Sequence, residues 1–148
     1  RNRLQRGEGT HLFTGIYLVS PRFLQRLPEA PGSVVPAFLE MIREGNPPRA
    51  IVIDEGDWRD LGTREQYLAA VRDLCGGKPV IHPTAAVHPT AAVTGASVVG
   101  PECRVGPRVK VHDSLLWKGA SLGKDAVLER CIVTDHQTVS GHHLDRDF

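Results

Sequence analysis

The chain has 148 residues, of which 41% are hydrophobic and 24% charged, with 15 Gly and 11 Pro. That is the length of about one average domain, with enough apolar material for a core, which argues against wholesale disorder. Eighteen Lys and Arg against 17 Asp and Glu leave a net charge of +1, and without a basic block no nucleic-acid footprint is expected.

No apolar run approaches the roughly 20 residues that cross a bilayer, and no charged-then-apolar leader opens the sequence. No membrane association and a cytoplasmic location are the expectation. Cys75, Cys103 and Cys131 are odd in number and far apart. They support neither a zinc site nor a disulfide framework and read as reduced thiols.

After a polar stretch, His11 to Ser20 is β-branched and aromatic, as a buried strand would be. Ser20-Pro21 opens a short helix to Leu27, with Ser as N-cap and Pro at the first helical position. Ser33 to Glu44 carries Val34, Val35, Phe38, Leu39, Met41 and Ile42 at helical spacing, and Gly45 stops it. Ala50 to Ile53 is a short apolar strand. Thr63 caps a helix to about Leu74, with Gln66 completing a capping box. A sheet covered on both faces needs more strands than these, so this segment reads as part of an α/β domain.

Beyond Gly76-Gly77-Lys78-Pro79 a period takes over. Aliphatic residues recur every six positions at Ile81, Val87, Val93, Val99, Val105 and Val111, then after one-residue slips at Leu116, Leu122, Leu128, Val133 and Val139. Mostly small residues sit four positions later (Ala85, Ala91, Ser97, Cys103, Val109, Leu115). This resembles the hexapeptide repeat of left-handed parallel β-helices, read as coils Ile81–Val98, Val99–Leu115, Leu116–Ile132 and a partial coil from Val133. Gly100, Gly106 and Gly123 are expected where the backbone turns tightly. His82, His88, His112, His136, His142 and His143 fall in this half. Since one face recurs about every 18 positions, His82 and His88 lie on different faces, as do His88, His112 and His136. They read as surface or corner residues, with no convergent catalytic or metal-binding trio.

Two motifs carry the functional argument: Phe13-Thr14-Gly15-Ile16-Tyr17 and Trp58-Arg59-Asp60-Leu61-Gly62-Thr63. A Gly within a strand lets a ligand come close. Asp60, between a strand and a helix N-cap, is placed where α/β folds bind ligands, and a carboxylate there suits Mg²⁺ held with substrate phosphates. The alternative is a carboxylate satisfied by loop amides, with Gly62 as plain turn chemistry.

F-T-G-I-Y, then W-x-D-L-G-T, a helix and hexapeptide repeats together resemble the C-terminal half of a sugar-1-phosphate nucleotidyltransferase of the mannose-1-phosphate guanylyltransferase type. The resemblance covers about residues 10 to 141. It implies a fold in two parts: a partial Rossmann-like α/β nucleotidyltransferase domain over 1–77, then a left-handed parallel β-helix over 80–141, with 142–148 as a tail. It implies that Asp60 matches a Mg²⁺-binding aspartate, that Thr14 and Gly15 line the sugar pocket, and that Trp58 and Gly62 shape its floor. Phe13 stands on the same strand where some members have an Asn that contacts the sugar. The substrates implied are an NTP and a sugar 1-phosphate, the cofactor Mg²⁺, and the assembly a homo-oligomer.

The family's Gly-rich nucleotide loop, its first metal-binding Asp and its sugar-binding Glu have no counterpart here, so no catalytic residue is assigned. With Arg1 in place of an initiator Met, the expectation is a truncated enzyme that is inactive without its N-terminal part. Two other readings are a non-catalytic β-helix assembly or regulatory module and a hexapeptide acyltransferase. Histidine placement disfavours the second.

Overall fold

The computed structural model describes residues 11, 13–53 and 55–148. It divides into two compact units, residues 1–58 and 59–148.

In the first unit, helix α1 (Pro21–Leu24) is capped by Ser20, whose hydroxyl accepts the Phe23 amide, and helix α2 (Val35–Arg43) is followed by Gly45 at φ +75°. The first was legible from its Ser-Pro start, the second from the helical spacing of its apolar residues and its Gly45 stop. Their small core joins Phe23 and Ala37, with the Phe23 and Tyr17 rings 5.5 and 5.2 Å from Phe38.

The strands expected over 11–20 and 50–53 do not form among the described residues. A strand exists only by pairing, and here Ile16 (79% exposed), Leu18 (99%), Ile51 (79%) and Ile53 (78%) have neither a pairing partner nor a covering layer. A Rossmann-like sheet is therefore not seen in this unit.

The second unit opens with helix α3 (Arg64–Leu74), whose capping box is complete: Thr63 Oγ1 accepts the Gln66 amide and Gln66 Oε1 accepts the Thr63 amide. The chain then coils into a parallel β-solenoid of twelve short strands, β1 (Val80–Ile81), β2 (Ala86–Val87), β3 (Ala92–Thr94), β4 (Val98–Val99), β5 (Arg104–Val105), β6 (Lys110–His112), β7 (Leu115–Leu116), β8 (Ser121–Leu122), β9 (Val127–Glu129), β10 (Ile132–Val133), β11 (Thr138–Val139) and β12 (His142–Leu144). They form three four-stranded sheets, β1-β4-β7-β10, β2-β5-β8-β11 and β3-β6-β9-β12. This is the three-sided architecture of the β-helix that the repeat led us to expect.

Register shows why the aliphatic period mattered. Ile81 pairs with Val99, Val99 with Leu116 and Leu116 with Val133; Val87, Val105, Leu122 and Val139 stack likewise. Val99, Val111, Leu116, Leu128 and Val133 are each at most 1% exposed and belong to one core.

The corners turn on residues in the left-handed region. Glu102, Gly119 and His136 occupy one corner (φ 61°, 69° and 61°), Arg108 and Asp125 the second (58°, 62°), and Gly95, Asp113, Arg130 and Asp145 the third (62°, 46°, 48°, 51°). In the first coil Thr84 and Thr90 stand at these corners instead, and their hydroxyls accept the Glu102 and Arg108 amides of the next coil at 3.1 and 3.0 Å.

Gly100 and Gly106, expected at tight turns, follow the inward residues for another reason. A Cβ on Gly100 would lie 2.8 Å from the Leu116 carbonyl oxygen, so it is the closeness of the next coil that requires glycine.

Helix α3 groups with the solenoid in the unit 59–148, tied to it by ion pairs. The expected tail, 142–148, continues the coil: β12 pairs with β9, and the Phe148 amide donates to the Ile132 carbonyl. There His143 takes an inward position opposite Leu128, and its ring meets Phe148 edge-on at 4.8 Å, with the Arg146 guanidinium 5.2 Å from the Phe148 centroid. An aromatic plug ends the core, which continuing apolar stacking would otherwise leave open.

Candidate functional site

The loop Arg59–Thr63, which opens the second unit and leads into α3, holds the best-defined of the expected site residues. Asp60 Oδ1 accepts the Gly62 amide at 3.1 Å, an Asx turn. A Cβ on Gly62 would sit 3.2 Å from that oxygen, so glycine keeps the turn compact. On one side Arg59 Nη1 meets Asp73 Oδ2 at 2.7 Å. On the other, Arg64 Nε meets Asp147 Oδ1 at 2.7 Å, and Arg64 Nη2 donates to the Arg130 carbonyl. The Asp60 carboxylate is thus exposed, on a loop fastened at both ends.

A metal site needs more donors than this loop supplies. Among the described residues no three His, Cys, Asp or Glu side chains come together. Mg²⁺ keeps water and phosphate oxygens and takes only one or two carboxylates from such proteins. The exposed Asp60 carboxylate has the donor chemistry of one such ligand and supplies no more than that.

The other expected residues fall in the first unit. Phe13 is 66% exposed with its ring 5.3 Å from Tyr17, Thr14 is exposed, Gly15 has φ +78° with no atom within 4 Å of a notional Cβ, and Trp58 is 42% exposed. The positive φ fits Gly15 at a bend in an extended segment. These residues lie in a different unit from Asp60 and Gly62.

Apart from the inward His143, the solenoid histidines sit at corners or point outward from strands. His82 and His88 each hold a Thr hydroxyl (Thr84, Thr90) at 2.9 Å through Nδ1, and His112 Nδ1 lies 3.0 Å from Thr94 Oγ1. Their work is with corner threonines.

Sequence reasoning missed a buried polar column. Ser97 and Ser114 are both 0% exposed. Ser97 Oγ donates to the Thr94 carbonyl (2.6 Å) and accepts the Ser114 amide (3.2 Å); Ser114 Oγ donates to the His112 carbonyl (2.8 Å) and accepts the Cys131 amide (2.9 Å). The signal was available: the repeat slips by one residue there, so that Ser114, and not Leu115, takes the small position. Leu115 is instead the outer partner of an aliphatic dyad. The dyads Val80-Ile81, Val98-Val99, Leu115-Leu116 and Ile132-Val133 recur on this face alone, and the outward Leu115 and Ile132 are only 3% and 7% exposed. Within this unit α3, with Ala70 buried, is the element available to cover them.

Electrostatics concentrate at the third corner. The Ala96 amide, then His112 and Arg72, hold the Asp113 carboxyl below the usual carboxylate range. Arg130 lowers Asp145 in the same way, chiefly by a two-pronged hydrogen bond of 2.8 and 2.9 Å. Burial pushes the Cys103 thiol up, which keeps it protonated and unreactive.

With the coil and corner geometry established, comparison with known families adds its finding. Residues 75–143 match the family model described as the GMPPB C-terminal domain, a mannose-1-phosphate guanylyltransferase beta-subunit domain. The solenoid is similar to that domain over these residues, which make up just under half of the chain. The match starts at the C-cap of α3, Cys75, and ends inside β12. The Asp60 loop and the first unit lie outside it. Compared with curated proteins, the chain matches none. Among the described residues no helix is long and apolar enough to cross a membrane.

Proposed function

We propose that this chain is a portion of a sugar-1-phosphate nucleotidyltransferase of the mannose-1-phosphate guanylyltransferase type. Such an enzyme joins an NTP and a sugar 1-phosphate into an NDP-sugar and releases pyrophosphate. The observation that carries the reading is the GMPPB-type solenoid, preceded at the spacing the resemblance calls for by Trp58-x-Asp60-x-Gly62-Thr63.

In this reading the attacking phosphate is already mostly ionised at neutral pH, since its second pKa is about 6. No strong general base is required of this chain. Catalysis rests on positioning and charge neutralisation. Mg²⁺, when bound, supplies the neutralising charge, and Asp60 offers it one oxygen. Phe13, Thr14, Gly15, Trp58 and Gly62 line the sugar side. Two apolar segments without strand partners, around Ile16–Val19 and Ile51–Ile53, support a first unit that is completed by further polypeptide carrying the nucleotide loop. The remaining parts of the proposal are a cytoplasmic homo-oligomer and a left-handed coil.

The test is an assay of the 148-residue chain with each NTP, mannose 1-phosphate or glucose 1-phosphate, and Mg²⁺, alone and after co-expression with a nucleotidyltransferase N-terminal segment. The expected result is no pyrophosphate release alone and release on complementation, abolished by Asp60→Asn. Robust turnover by the chain alone overturns the claim of inactivity. Complemented turnover that survives Asp60→Asn overturns the metal role.

A further inference from the structure

We propose that the last coil of the solenoid positions the Asp60 carboxylate, acting through Arg64. The inference rests on the reading of Asp60 as a functional carboxylate.

It starts from two charges at the wrong ends of a helix. Cations are favoured at helix C-termini and anions at N-termini. Arg64 is the first residue of α3 and Asp73 lies in its last turn, so each opposes the helix dipole. Both are spent on tertiary pairs that bracket one loop. Asp73 takes Arg59, immediately before Asp60. Arg64, immediately after the cap Thr63, takes Asp147 at 2.7 Å, Asp145 at 3.9 Å and the Arg130 carbonyl. The Arg64 side chain is only 20% exposed, so this contact is better shielded than an ordinary surface pair.

Between these anchors the loop has little freedom. Asp60 Oδ1 holds the Gly62 amide and Thr63 is locked in the capping box. Arg64 contacts Asp147 and Asp145 of the last coil and the Arg130 carbonyl of the coil before it, and Arg130 joins Glu129 and Asp145 in the same network. A displacement of the last coil therefore passes through Arg64 to the N-terminus of α3, and from there to the Asp60 turn. The arrangement gives the solenoid a role beyond scaffolding: its far end, through a contact that spans 83 residues of sequence, sets where the Asp60 carboxylate is held.

The experiment uses the full chain and Asp147→Asn, Asp147→Glu and Arg64→Gln. Amide exchange is followed at Gly62, Gln66 and Tyr67, whose amides bond Asp60 Oδ1, Thr63 Oγ1 and the Thr63 carbonyl. Gly106 and Gly123, bonded between coils, are the internal reference. Asp147→Asn and Arg64→Gln are expected to speed exchange at the three loop amides about fivefold to tenfold, the loss of roughly one charged hydrogen bond, with the reference amides unchanged. Asp147→Glu is expected to restore protection to within about twofold. Unchanged loop exchange overturns the proposal, as does equal acceleration at Gly106 and Gly123, which marks a mere brace of the fold. Mn²⁺ is the probe that separates the two readings. Broadening of the Gly62 amide signal by Mn²⁺, lost in Asp60→Asn and weakened in Asp147→Asn, supports both. No broadening in the parent chain overturns the metal role and, with it, the functional meaning of the clamp, whereas the exchange data still decide whether the clamp exists.

Discussion

Replacing Ser114 by Ala removes one oxygen from a site with no water access, and the structure sets the cost. Ser114 Oγ accepts the amide of Cys131, which is itself 0% exposed, and it donates to the His112 carbonyl. The two losses are unequal. The His112 carbonyl keeps the Arg130 amide at 3.0 Å, whereas the Cys131 amide is left with no acceptor in a dry corner. A buried donor without a partner costs about 1–3 kcal/mol, and the lost hydroxyl leaves a gap too small for a water. For a unit of the size of residues 59–148, about 2 kcal/mol lowers Tm by roughly 8–16 °C. Urea unfolding with exchange at the Cys131 amide is the assay. Ser114→Cys, which copies the group already present at the next rung, is expected to lose less than Ser114→Ala. A Ser114→Ala variant within about 0.5 kcal/mol of the parent, with Cys131 still protected, would refute the hydroxyl ladder as a stabilising feature.

Gly100→Ala brings a Cβ to 2.8 Å from the Leu116 carbonyl and is expected to destabilise by about 1–3 kcal/mol, since a packed backbone cannot step aside; thermal melts check it, and an unchanged Tm would mean the coils can part. Asp113 has a lowered folded-state pKa, so its contribution is present above the unfolded carboxylate value of about 3.9 and is lost as pH falls below it. Stability should therefore fall between about pH 5 and 3, and Asp113→Asn should flatten that limb while lowering stability at pH 7; parallel acid limbs would count against the assignment.

Much of the solenoid was legible because each coil repeats one demand. An inward aliphatic residue at Ile81 needs another at Val99, and the period exposes both. These two helix starts were legible for a local reason, since Ser20 and Thr63 cap amides only three residues away. What failed was non-local. Phe13–Ser20 and Ala50–Ile53 have strand composition, but composition cannot supply the neighbours that make a strand. The tail was misjudged because its inward positions are His143 and Phe148, which break the aliphatic rule while filling the same space. At the candidate site, the Asx turn of Asp60 was among the alternatives read from sequence. The Arg64–Asp147 contact, 83 residues apart, was invisible until the coils were counted in space.

The helix laid along the solenoid has a consequence for how this chain can change length. Arg64 engages Asp147 and the corner residue Asp145, and Arg72 engages the corner residue Asp113; the two arginines are eight helical residues or about 12 Å apart, against about 10 Å for two coils. The coils differ in length, with Val99 18 residues after Ile81 but Leu116 17 after Val99, yet each rises by one strand spacing. A residue gained or lost at a corner therefore leaves this ruler in step. A residue inserted in α3 slides one arginine by about 1.5 Å and swings it about 100° around the axis. Length variation at a corner thus leaves the rise of the coils, set by strand spacing, unchanged, whereas an insertion in the helix breaks one of its two ion pairs.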